Sequence, residues 1–135
     1  MRVTSAPIGD FAKRYTEAWC SHDAERVASF FAPDGWLRVN EGAAAVGRAA
    51  IAEVARSFMT AFPDLQVRFD DLVLREDGVE YHWTLTGRNT GPGGTGKQVR
   101  ISGYERWRLD GDGRIAESQV LYDREEYERQ LRGGE

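Results

Sequence analysis

The sequence holds a single cysteine, Cys20, so it can form no internal disulfide and gives no sign of an oxidising compartment. It has no long apolar run. Even Ala43–Ala55 is interrupted by Arg48 and Glu53, well short of the length that spans a bilayer. It has no basic excess either: 18 Lys and Arg are scattered among 22 Asp and Glu, a formal net charge of −4. Binding to nucleic acid or an anionic membrane requires a basic stripe, so neither partner is expected. Residues 1–7, Met1-Arg2-Val3-Thr4-Ser5-Ala6-Pro7, lack the apolar stretch of a secretory signal, which makes the cytoplasm the expected location. Histidine is also sparse. His22 and His82 have no neighbour at metal-ligand spacing, so no metal and no cofactor are expected.

What is present is enough for one core. The chain is 135 residues long and 41% hydrophobic, which suits a single domain over residues 1–135. Phe11, Tyr15, Ala18 and Trp19 recur at helical spacing in a first helix that opens near Pro7–Asp10. Asp23 caps a second helix carrying Val27, Phe30 and Phe31, which Pro33-Asp34-Gly35 ends. A short extended segment, Trp36–Asn40, precedes a third helix opened by Gly47, with Ile51, Val54, Ala55, Phe58 and Phe62 on its apolar stripe. Four strands follow: Leu65–Leu74, Val79–Thr86, Gln98–Leu109 and Arg114–Asp123. From about residue 124 only Tyr127 and Leu131 are apolar, so the last residues read as a short, loosely packed helical tail. The order α-α-β-α-β-β-β-β gives an α+β fold, a curled antiparallel sheet packed on three N-terminal helices. Curled tightly, such a sheet makes a cone-shaped barrel with one open end.

Alternation along the strands shows what lines that cone. In Gln98–Leu109 one face carries Val99, Ile101, Gly103, Glu105, Trp107 and Leu109, and Glu105 is its only charge. In Val79–Thr86 the inward set is Val79, Tyr81, Trp83 and Leu85, with His82, Thr84 and Thr86 opposite. Two interpretations of Glu105 stay open on this pattern. Either a bulge turns it outward to pair with Arg106 or Arg108, or it lies in an apolar pocket where desolvation raises its pKa. Tyr15 is accounted for as a core residue by its helix stripe.

Several motifs promise less than they show. Gly91-Pro92-Gly93-Gly94-Thr95-Gly96-Lys97 begins like a phosphate-binding loop, but Gln98 follows where a Ser or Thr is needed, and strand follows rather than helix. It reads as a hairpin loop that, if mobile, would overhang the pocket mouth. Ser118, His82 and Asp123 form a triad only on paper, because Ser118 and His82 face opposite sides. Cys20 reads as packing at the end of the first helix, with no base and positive environment identified to make it a nucleophile.

Together, Arg14-Tyr15-Thr16-Glu17-Ala18-Trp19, His22-Asp23, Phe30-Phe31-Ala32-Pro33-Asp34-Gly35 and Gly47-Arg48-Ala49-Ala50-Ile51 resemble the opening of SnoaL-like proteins of the nuclear transport factor 2-like superfamily. Ala61-Phe62-Pro63-Asp64, Ser102-Gly103, Trp107-Arg108 and Gly113-Arg114-Ile115 continue the likeness over nearly the whole chain. The superfamily includes ketosteroid isomerases, polyketide cyclases, epoxide hydrolases and dehydratases. By that resemblance Tyr15 and Glu105 stand where the isomerases hold their two oxyanion donors. The isomerases' base falls on Val39. The cyclases' essential histidine and aspartate fall on Glu105 and Val120, and the epoxide hydrolases' Asp–Arg–Asp set has no counterpart.

The expected activity is therefore a cofactor-independent isomerase, cyclase or dehydratase acting on a small apolar cyclic carbonyl or enol compound. Glu105 and Tyr15 would polarise one oxygen. The expected pocket is lined by Trp19, Trp36, Val39, Phe58, Tyr81, Trp83, Trp107, Ser118, Val120 and Tyr122. The alternative is a pocket that binds without chemistry, or a dimeric accessory domain. A homodimer is expected through the outer sheet face, where His82, Thr84, Tyr104, Gln119 and Leu121 gather, since relatives commonly pair there.

Overall fold

The computed structural model describes residues 5–133. Helix α1 (Ser5–Cys20) turns Ile8, Ala12, Tyr15, Ala18 and Trp19 inward. Helix α2 (Ala24–Ala28) is only five residues long, started by the Asp23 carboxylate accepting from the Arg26 amide at 3.1 Å. Strand β1 (Phe31–Val39) follows at once. The expected second helix therefore ends early, and Phe31 begins a strand. Pro33-Asp34-Gly35 is not a terminator but an irregularity inside β1, where its register against the last strand shifts between Phe31 and Trp36. A two-residue strand β2 (Ala45–Val46) precedes α3 (Arg48–Ala61), whose Ile51, Ala52, Ala55 and Met59 are buried.

The remaining strands are β3 (Gln66–Arg75), β4 (Gly78–Arg88), β5 (Gln98–Leu109) and β6 (Ile115–Tyr122), followed by α4 (Arg124–Leu131). The sheet order is β2-β1-β6-β5-β4-β3. It is α+β and curled, as expected, with two corrections. The sheet does not close, so it is not a barrel: β2 and β3 remain its two edges. Nor is it wholly antiparallel, because β1 runs parallel to β6. A parallel pair needs a long crossover, and here everything from β2 to β5 serves as that connection.

Bulges bend the sheet. The β3–β4 register shifts between Phe69 and Asp71, which moves the inward set of β3 from the odd residues Val67 and Phe69 to the even residue Leu72. That shift explains why the sequence of this strand alternates only in part.

Residues 124–131, read as a short, loosely packed helical tail, form a helix with a side-chain cap and no fully buried residue. The Asp123 side chain accepts from the Glu126 amide at 3.0 Å. Strand β6 stops at Tyr122, opposite Gly103, and leaves the edge of β5 before that point without a partner strand. Gln130 fills the gap, accepting from the Arg100 amide at 2.6 Å and donating to its carbonyl at 2.9 Å. The glycine-rich loop docks instead of overhanging. Gly91 and the Asn89 side chain both donate to the Ala61 carbonyl at the end of α3, and a Cβ at position 91 would lie 2.0 Å from the Thr60 oxygen. Cys20 is occupied by backbone, its sulfur donating to the Val67 carbonyl at 3.2 Å and accepting from the Val67 amide at 3.3 Å.

Candidate functional site

Inside the curl, α1 lays an aromatic cluster against the sheet. The Tyr15 ring meets Trp107, Tyr81 and Phe30 edge-on at 5.3, 5.4 and 5.6 Å, and Tyr81 stacks on Trp107 at 4.9 Å. This cluster closes one end of the interior and forms the back wall of the site.

Glu105 projects from β5 into that interior and is 4% exposed. Its Oε1 accepts from Trp107 Nε1 at 2.8 Å, from Ser118 Oγ at 2.8 Å and from the Tyr15 hydroxyl at 3.1 Å. Its Oε2 has one longer contact, 3.2 Å, with the same Tyr15 hydroxyl. The bulge with an outward arginine pair is not what forms: Arg108 pairs with Glu117 at 3.0 Å, and among the described residues no cation bridges Glu105. Burial pushes the Glu105 carboxyl above its ordinary range; the bonds from Trp107, Ser118 and Tyr15 pull the other way and only partly offset it. Three donors on Oε1 keep that oxygen an acceptor, so a proton on this carboxyl sits on Oε2. Tyr15 is raised well above an ordinary tyrosine, by burial first and then by the Glu105 carboxylate, so it stays a neutral donor.

In front of Glu105 lies a cavity. Of the residues named from the sequence, Trp19, Val39, Phe58, Tyr81, Trp83, Val120 and Tyr122 line it. Leu37, Val54, Val67, Leu85, Ile101 and Tyr127 complete it. The cavity is narrow, about 50 Å³ in volume. Tyr81 contributes its ring but not its hydroxyl: Thr16 Oγ1 donates to the Ala12 carbonyl at 2.8 Å, so the 2.5 Å contact between Tyr81 and Thr16 has tyrosine as donor.

Four of the expected site residues lie elsewhere. Tyr15, Trp107 and Ser118 are fully buried behind Glu105 and hold it, rather than facing the cavity. Tyr15 therefore does not share a ligand oxygen with Glu105; its hydroxyl goes to Glu105 itself. Trp36 is on the wrong side of β1. Leu37 and Val39 point inward, so Trp36 points outward, into a groove with Arg106, Arg108, Glu117 and Gln119. Alternation along β1 would have excluded it. Of the residues missed, Leu85 and Ile101 were already on inward strand faces and Val54 on the α3 stripe. Tyr127 was not legible, because its position depends on how α4 folds back. Its ring meets Tyr122 at 5.4 Å, and burial pushes its hydroxyl pKa up to about 12.

The other sequence signals take structural roles. Ser118 is committed to Glu105, while His82 stacks on Tyr104 at 5.0 Å on the outer face, so they form no triad. No group of three or more His, Cys, Asp or Glu is placed to hold a metal among the described residues. No described helix is long and apolar enough to cross a membrane.

The fold recurs in solved structures. A putative SnoaL-like polyketide cyclase from Jannaschia sp. CCS1 superposes with a TM-score of 0.82 at 15% identity, covering 98% of each chain. AclR, a putative hydroxylase from Streptomyces galilaeus, gives 0.78 at 23%, covering 95% of this chain and 82% of its own. A protein with a ketosteroid isomerase-like fold from Catenulispora acidiphila, in complex with trimethylamine, gives 0.78 at 18%, covering 90% and 92%. At these identities the likeness concerns the fold alone. No curated protein matches the sequence. The family model for SnoaL-like polyketide cyclases matches residues 9–131, and with that match the chain belongs to the SnoaL-like polyketide cyclase family.

Proposed function

We propose that the protein is a cofactor-independent acid/base enzyme for a small, apolar, cyclic carbonyl or enol compound, with Glu105 as its general acid. One observation carries this reading: a carboxyl with no cation partner closes an otherwise apolar cavity, held from behind by three donors. Oε2–H meets the substrate oxygen and gives it a proton. A water at the cavity mouth takes the proton from the adjacent carbon, leaving the enol. The enol then takes a proton at another carbon, adds to a second carbonyl to close a ring, or expels a β-hydroxyl as water; the protonated water supplies the proton that step needs, and the enol O–H returns its own to Glu105. Tyr15, Trp107 and Ser118 act as positioning residues that stabilise the carboxylate left behind.

Enolisation is measurable without the natural substrate. Incubating the protein with 1-tetralone in deuterium oxide should accelerate deuterium uptake at the carbon beside the carbonyl. Glu105→Gln should lower that acceleration by about 100-fold or more. Equal rates in both proteins would rule out Glu105 as the acid.

Binding without chemistry is the second reading. It is favoured by Val39 and Val120, which line the cavity where the resemblance would place the bases of isomerases and cyclases. We further propose that the protein acts in the cytoplasm as a homodimer through the outer sheet face, where the His82–Tyr104 stack stands beside Thr84 and Ser102, linked at 2.7 Å. Light scattering at micromolar concentration should return twice the 15.2 kDa chain mass; a monomer mass would refute the pairing.

A further inference from the structure

Among the described residues, one buried side-chain polar atom lacks a hydrogen-bond partner: Nε1 of Trp83. Trp83 is 7% exposed and lines the same cavity as Glu105. An indole N–H donates and cannot accept, so nothing but an acceptor satisfies it. Leaving such a donor dry is unfavourable, and native proteins seldom do so without a reason.

Its position is set by the sheet. Trp83 stands opposite Gly103 across β4 and β5. A Cβ on residue 103 would lie 2.8 Å from Trp83 Cζ2, 2.9 Å from Tyr122 Cβ and 2.4 Å from the Leu121 oxygen. Cζ2 belongs to the same edge of the indole as Nε1, so that edge occupies the space Gly103 leaves. Glu105 faces Tyr81 in the same strand pair and lies on the same side of the sheet. Glu105 and Trp83 are thus diagonal neighbours, whose backbones are about 7–8 Å apart in such a pair. Leu85, Ile101 and Val120 are the neighbouring walls. A trapped water would find few further partners among them.

We propose that Trp83 Nε1 is a second recognition donor, which binds one acceptor oxygen of the ligand while Glu105 binds another. This rests on Glu105 being the protonated acid of the cavity. It narrows the ligand to a neutral molecule carrying two acceptor oxygens at separate positions. Anions are disfavoured: no Arg, Lys or His is among the lining residues, so a carboxylate or phosphate would be desolvated without a counter-charge.

The test uses the ¹⁵N-labelled protein and three probes: 6-methoxy-1-tetralone with two acceptors, 1-tetralone with one, and tetralin with none. The Trp83 indole signal, assigned by through-bond correlation in the wild type, should move downfield with 6-methoxy-1-tetralone and not with tetralin. Trp83→Phe should bind 6-methoxy-1-tetralone about tenfold more weakly and tetralin equally well. An unmoved signal on binding overturns the assignment of Trp83. If Glu105-dependent deuterium uptake by 1-tetralone persists in that case, the acid role of Glu105 stands without it. If none of the three probes binds, both are overturned. The wild-type shift decides the matter even if Trp83→Phe does not fold.

Discussion

Glu80 and Glu105 lie on adjacent strands of one sheet, facing opposite sides, and the sheet treats them oppositely. Glu80, on the outer face of β4, accepts from Arg75 at 3.0 Å and sits 3.1 Å from His82 Nε2. The Arg75 bond, and then His82, hold its carboxyl below the ordinary range. Glu105, on the inner face of β5, has three neutral donors and, among the described residues, no cation, and burial carries it above that range. The donors around the two carboxylates are similar in number. What differs is the charge of those donors and the access of water. A carboxyl kept neutral by its surroundings can donate a proton near neutral pH; a carboxylate tied to arginine cannot.

The comparison breaks most visibly if Glu105 is removed altogether. Glu105→Ala leaves the Trp107 N–H, the Ser118 hydroxyl and the Tyr15 hydroxyl without their acceptor, and opens a void beside them. A loss of about 3–4 kcal/mol of unfolding free energy is expected in urea denaturation. A loss within the usual surface range, under about 0.5 kcal/mol, would mean that the donors do not depend on it.

The pH dependence of stability sharpens the contrast, because the two shifts have opposite signs. A raised carboxyl binds its proton more tightly in the folded chain. Its contribution is therefore complete below the ordinary glutamate value of 4.5 and is lost as pH rises through the raised value. Glu105→Gln should remove that alkaline-side decline, so that its melting temperature gains on wild type as pH rises. Glu80 is the reverse: its contribution is present above the ordinary value and lost as pH falls through the lowered one. Glu80→Gln should alter only the acid limb, and by less, since its arginine partner is exposed and the pair is screened. Thermal melts of the two variants across pH read both slopes, and matching slopes would erase the distinction.

Much of this contrast was legible before the structure. Alternation in Gln98–Leu109 put Glu105 among Val99, Ile101 and Trp107, because that strand carries no bulge before Arg108. The rest depended on events that local patterns do not encode. Asp70 reverses the alternation of β3, Pro33-Asp34-Gly35 interrupts β1 without ending it, and β1 meets β6 only through the completed fold. The cage on Oε1 was partly visible: Tyr15, Trp107 and Ser118 were all singled out, but as ligand contacts. Which side of the carboxylate they occupy depends on the packing of α1 against β5, a contact 90 residues apart in sequence. Tyr127 at the cavity and the unpaired Trp83 Nε1 are three-dimensional facts with no trace in the chain's periodicity.

The central claim is that Glu105 is a neutral acid in the folded protein, and its carboxyl titration tests this most directly. Infrared difference spectra of wild type against Glu105→Gln across pH isolate the protonated carboxyl band of this one residue. The band should persist above pH 4.5 and disappear only at a higher pH, in keeping with the raised value. Loss of the band at the ordinary glutamate value would show an ionised Glu105 and contradict the acid role.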